Sequence, residues 1–135
     1  MKRLKSRLLL LISGILLVVI GTSILFNPFT FFASNGTLLS QDPNLLSEIR
    51  APGGMLMIAG LFITLAAVRP EFIQQALALS ILIYGAYGSA RVVSMGLDGR
   101  PVDSLVGATV IELAVSGLCF ATWAANHNAT LAKGA

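Results

Sequence analysis

Histidine and cysteine are nearly missing from this chain of 135 residues, which holds one of each, His127 and Cys119. A lone cysteine excludes an intrachain disulfide and leaves the redox compartment unread. With one histidine, set in the C-terminal tail, no acid, base and nucleophile set assembles and no metal-ligand cluster is spelled out. No catalytic residue, cofactor or metal site is therefore expected. Charge is equally scarce: Asp, Glu, Lys and Arg make up 11% of the residues, against about a quarter in soluble domains. That shortage excludes an ordinary water-soluble fold.

What is present is apolar. Hydrophobic residues reach 56% and gather in four runs, residues 8–26, 51–68, 76–95 and 104–125. Each is close to the roughly 20 residues that cross a bilayer as a helix. The expected fold is all-α, an integral membrane bundle of four transmembrane helices in antiparallel up-down order, with residues 1–135 forming a single membrane domain. What remains outside the runs is too short for a second folded unit. The first run is longer than the roughly 7–15-residue core of a cleaved signal peptide, so it is expected to stay as an anchor.

The formal charge of +3 sits mostly at one side of this layout. Lys2, Arg3, Lys5, Arg7, Arg69 and Lys133 share the side of the termini, against Arg50, Arg91 and Arg100 opposite. By the positive-inside rule both termini face the cytoplasm of a cell inner membrane, and the basic charge reads as topology, with no nucleic-acid partner. Pro52 and Pro70 are expected in the first turns of the second and third helices, Asp103 as the N-cap of the fourth, and Asp98-Gly99 in a tight turn. The outer loop, residues 27–50, opens with Asn27-Pro28-Phe29-Thr30-Phe31-Phe32, an aromatic belt at the interface. Asp42-Pro43 then reads as the cap and first turn of a short interfacial helix that lays Leu45, Leu46 and Ile49 on the bilayer surface.

Polar residues within the runs fall in stripes. Thr109, Glu112, Ser116, Cys119 and Trp123 follow 3-4-3-4 spacing on the fourth helix, and Ser80, Tyr84, Tyr87 and Arg91 do so on the third. Such stripes turn toward protein rather than lipid. Glu112 lies nine residues inside its helix, roughly 13 Å, and charge at that depth is costly. Arg91, Glu112 and Tyr87, with Arg50 as a third charged member, therefore form a candidate intramembrane ion pair or ligand pocket. Gly53, Gly54, Gly60 and Gly88, with Gly14 and Gly21 on the first helix, are candidate packing positions where backbones approach closely. Two readings lead, with a membrane enzyme acting through Arg91, Tyr87 and Glu112 on a thiol or lipid substrate behind them. One is a non-catalytic accessory or structural subunit that packs with itself or with another membrane protein; the other is a binding or transport module for an anionic lipid, a small anionic amphiphile or a proton.

The stretch Ser47-Glu48-Ile49-Arg50-Ala51-Pro52-Gly53-Gly54, then Arg69-Pro70-Glu71, Gly88-Ser89-Ala90-Arg91, Asp98-Gly99-Arg100-Pro101 and Glu112, resembles the bacterial domain-of-unknown-function 4345 family, from the first span to about Asn126. The resemblance implies a small four-helix inner-membrane protein of unassigned role, and it draws attention to Arg50, Gly54, Arg91 and Glu112. Where the family pattern often carries an aromatic residue, this chain has Pro52. The layout is also loosely similar to DoxX-like membrane proteins, some of which accompany oxidoreductases; this is a likeness of fold.

Overall fold

A chain surrounded by hydrocarbon must satisfy its backbone polar groups internally, and long helices do so within each segment. The computed structural model describes residues 2–134, and the side chains of residues 4–128. The side chains of Lys2, Arg3 and Lys133, counted in the charge balance above, lie outside the described residues. Five α-helices appear among the described residues: α1 (Lys2–Phe26), α2 (Pro28–Ser34), α3 (Pro43–Ala66), α4 (Ile73–Asp98, preceded by a 3-10 turn at Pro70–Phe72) and α5 (Asp103–Gly134). Four of them, α1, α3, α4 and α5, are long and apolar enough to cross a membrane. The all-α, four-span, up-down bundle expected from the sequence is thus the observed architecture, and the protein is a multi-pass membrane protein.

Three boundaries differ from expectation. The interfacial helix is not a separate element: α3 starts at Pro43, capped by Asp42, whose carboxylate accepts from the Asn44 amide at 3.1 Å. It runs unbroken through residue 52, so Pro52 lies inside the helix and not in its first turn. Having no N–H, Pro52 leaves the Glu48 carbonyl without its helical partner, a loss that membrane helices tolerate where protein or a cavity lies alongside. The aromatic start of the outer loop is itself a helix, α2, with Pro28 at its first position. It stops at Gly36, whose φ of 77° favours glycine, with the Gly36 amide donating to the Ala33 carbonyl at 3.0 Å. Lastly, α5 opens on Asp103 itself. The Leu105 and Val106 amides donate to the Val102 carbonyl at 3.0 and 3.2 Å, which makes Val102 the capping residue. The Asp103 carboxylate instead accepts from Arg100 Nη2 at 2.7 Å.

The spans pack as two pairs, α1 along α3 and α4 along α5. Glycine decides how closely the first pair approaches. A Cβ built on Gly60 would lie 2.7 Å from both the Gly14 carbonyl oxygen and the Val18 nitrogen, and one on Gly53 would lie 2.8 Å from Ile24 Cγ2. In the second pair a Cβ on Gly88 would come within 2.7 Å of Leu113 Cδ2, and the Ser116 hydroxyl donates to the Ile81 carbonyl at 3.1 Å. Gly54 plays no such part, since a Cβ there meets nothing within 4 Å. One position is about 100° of helix turn, so Gly53 and Gly54 do not share a face.

The pairs meet chiefly through α4. Leu10, Leu17, Leu56, Ile63, Leu77 and Tyr84 are buried between them, and the Tyr84 hydroxyl donates to the Ser13 carbonyl at 2.6 Å, tying α4 to α1. Among the described residues α3 and α5 stay apart, with no two of their Cα atoms within 8 Å. The pairs are thus joined toward the end that carries the chain termini and splayed toward the loop end.

Candidate functional site

The splay encloses a cavity of about 790 Å³. Its inner wall is apolar, built from Leu16, Leu17, Ile20 and Ile24 of α1 and Leu56 of α3. The loop end roofs it with Phe31, Phe32 and Asn35, and Asn35 is tied to the start of α5 by the Ser104 hydroxyl, which donates to Asn35 Oδ1 at 3.2 Å. Small polar side chains, Ser34, Thr37 and Ser94, stand at this rim together with the carboxylate of Glu48. The remaining wall comes from α4 and α5, where helical spacing brings Tyr84, Tyr87 and Arg91 to one face and Ala108, Ile111 and Glu112 to the other.

On that wall Arg91 Nε donates to both oxygens of Glu112, at 3.2 Å to Oε1 and 3.0 Å to Oε2. One N–H is thus shared by both oxygens, and the Nη groups of Arg91 take no part in the bond to Glu112. The pair is shielded unequally: the Arg91 side chain keeps 33% of its exposure and that of Glu112 only 14%. Glu112 is therefore the more shielded member and Arg91 the more open one, and both line the cavity.

Tyr87 lines the cavity beside the pair, and Arg91 and Glu112 bond to each other directly. Arg50 is not part of the site. It is exposed, and Glu48, Ile49 and Pro52 face the cavity in its stead. The cause is helical phase: with α3 continuous from Pro43, residues 48, 49, 52 and 56 share a face, and residue 50 is turned about 200° from residues 48 and 52. Ile49, expected on the bilayer surface, accordingly lines the cavity instead.

The sequence reading missed Glu48, Pro52, the α1 wall and the roof. A signal for the first two existed, because stepping back from Leu56 by four, seven and eight positions reaches Pro52, Ile49 and Glu48. For the roof none did, since its place depends on where the outer loop folds back. The stripe on α5 is also packed into protein: Thr109, level with the cavity, is 4% exposed, and further along the helix Cys119 is fully buried and the Trp123 ring stacks on His127 with centroids 5.3 Å apart.

Compared with known proteins, the chain matches one family model, described as a domain of unknown function (DUF4345), over residues 6–123. No curated protein and no solved structure matches it.

Proposed function

This chain belongs to the domain-of-unknown-function 4345 family, and from the geometry of its cavity we propose that it is a non-catalytic membrane protein that binds a small amphiphile carrying an anionic group. One observation carries the reading: an apolar chamber of about 790 Å³ has a partly exposed arginine on its wall, held in place by a shielded glutamate. That volume lies within the roughly 300–1,000 Å³ of small-molecule sites, which are apolar with a few placed polar groups. The chamber accepts a hydrocarbon portion, and the Arg91 guanidinium, planar and always charged, accepts a carboxylate, sulfonate or phosphate. Because α3 and α5 stay apart, the ligand has a sideways path from the bilayer. Lys5, Arg7 and Arg69 lie toward the end of the bundle that carries the termini, so we read that end as cytoplasmic in a cell inner membrane, with the cavity in the outer half.

The test is the lipid content of the protein extracted with its surrounding membrane in polymer discs. Wild type is expected to retain an anionic amphiphile, identified by mass spectrometry after stripping. Ala108→Phe, which projects a ring into the cavity and keeps both Arg91 and Glu112 in the chain, is expected to lose it. Equal retention by both proteins refutes the reading.

A second reading, an accessory subunit that packs with itself or a larger membrane complex, draws on α5. The membrane-spanning part of this helix is only 11% buried, and Gly107 and Gly117 have nothing within 4 Å of a built Cβ. Small residues on a free face let another helix approach closely. The mass of the same extracted particle tests it, since a particle holding a single copy of this chain and no other protein refutes the subunit reading.

A further inference from the structure

As a unit, the Arg91–Glu112 pair is neutral, and this limits what can join it. Arg91 uses one of its five N–H groups, on Nε, for both oxygens of Glu112. Among the described residues its Nη groups have no hydrogen-bond partner, and it is the only cationic side chain lining the cavity. The charged and titratable groups facing Glu112 are Arg91, Tyr87 and Tyr84 from α4 and, at the distant rim, Glu48 from α3; α1 and α2 contribute none. The Tyr84 hydroxyl is already committed to the Ser13 carbonyl.

An anion brought to the open edge of Arg91 gives this neutral site a net negative charge, at a depth of roughly 13 Å along α5, where net charge is disfavoured. No second cation stands ready to offset it. A proton on Glu112 does offset it, and still leaves a carboxyl oxygen to accept from Arg91 Nε. We propose that the cavity takes up an amphiphilic monoanion and a proton together, the anionic group on the free edge of Arg91 and the proton on Glu112. The inference rests on the binding reading above and adds a stoichiometry to it. Net charge is then zero in the empty site, with Arg91 positive and Glu112 negative, and zero again in the occupied one.

Linkage fixes the sign of the pH dependence. The occupied site holds one proton more than the empty site wherever empty Glu112 is ionised and occupied Glu112 is not. In that window the apparent affinity for the anion falls tenfold for each unit rise in pH, and proton and anion strengthen one another reciprocally.

Decyl sulfonate is a suitable probe, because it remains anionic throughout the working pH range and any proton taken up must go to the protein. Calorimetric titration of the full chain in maltoside micelles, repeated in two buffers of different ionisation heat, counts protons per sulfonate bound. Wild type and Glu112→Asp are expected to take up close to one. Glu112→Gln is expected to take up none and to bind with an affinity independent of pH. Binding that Arg91→Gln abolishes but that takes up no proton in wild type overturns this inference alone, as does uptake that Glu112→Gln leaves unchanged. Absence of saturable sulfonate binding, or binding that neither Arg91→Gln nor Ala108→Phe weakens, overturns the binding reading itself.

Discussion

Substituting two glycines only six positions apart on α3 should change stability by clearly different amounts, and the structure supplies the size of the difference. A methyl group on Gly60 meets the Gly14 carbonyl oxygen and the Val18 nitrogen at 2.7 Å and Leu17 Cβ at 2.9 Å. The first two are backbone atoms, which cannot swing aside. An ordinary contact of about 3.5–4.0 Å requires α1 and α3 to part by roughly 1 Å, a gap that forfeits a quarter to a half of each dispersion contact along the seam. Overpacking of this kind costs about 1–3 kcal/mol. A methyl on Gly54 meets nothing within 4 Å. Both substitutions gain the same helix propensity of about 1 kcal/mol from replacing glycine with alanine, so propensity cancels in the comparison. Gly54→Ala should be neutral or more stable than wild type, and Gly60→Ala should lie about 1–3 kcal/mol below Gly54→Ala. Reversible unfolding in mixed micelles with increasing dodecyl sulfate, followed by helical circular dichroism, measures the difference directly. Equal stabilities, or Gly54→Ala as the weaker protein, would refute the close approach of α1 and α3 at Gly60.

Further outcomes follow from the wall of the cavity and from the core. In a double-mutant cycle on unfolding, Arg91→Met and Glu112→Met should show a coupling of about 1–3 kcal/mol, with the double variant more stable than either single one, because each single change strands a shielded charge. A coupling near zero would mean that the pair is not formed in the membrane. Cys119 is fully buried, so a maleimide reagent should leave it unmodified in the folded protein and label it only after unfolding in dodecyl sulfate. Labelling at equal rates in both states would contradict the packing of α4 against α5.

The spans were legible in the sequence because membrane solvent imposes one rule, an apolar run of fixed length, and the four runs meet it without help from tertiary contacts. The beginning of α3 was not. Proline was read as a helix start, as it usually is in water, whereas here Asp42 caps the helix ten residues earlier and Pro52 is carried in its interior beside the cavity. That single displacement also accounts for the placing of Arg50 in the site, since helical phase can be counted only from a helix of known extent. Arg91 and Glu112 were legible as misfits, two charges inside apolar runs; that their nearest atoms lie 3.0 Å apart was not, because distance depends on how α4 and α5 register at Gly88. α2 was hidden by its composition, since aromatic residues at an interface serve equally well as belt or as helix.

The two-pair arrangement bears on how the protein is made. Each pair is a hairpin of consecutive spans, α1 with α3 and α4 with α5, and the deepest glycine seam lies within the first of them. Chains are synthesised from the amino end, and early segments assemble first, so the first hairpin is able to zip together in the bilayer while the second is still being translated. The cavity belongs to neither hairpin. It comes into being only when the second docks on the first through Tyr84 and its neighbours, which makes it the last part of the molecule to exist during biosynthesis. Any amphiphile lying in that groove as the hairpins close would be captured at birth.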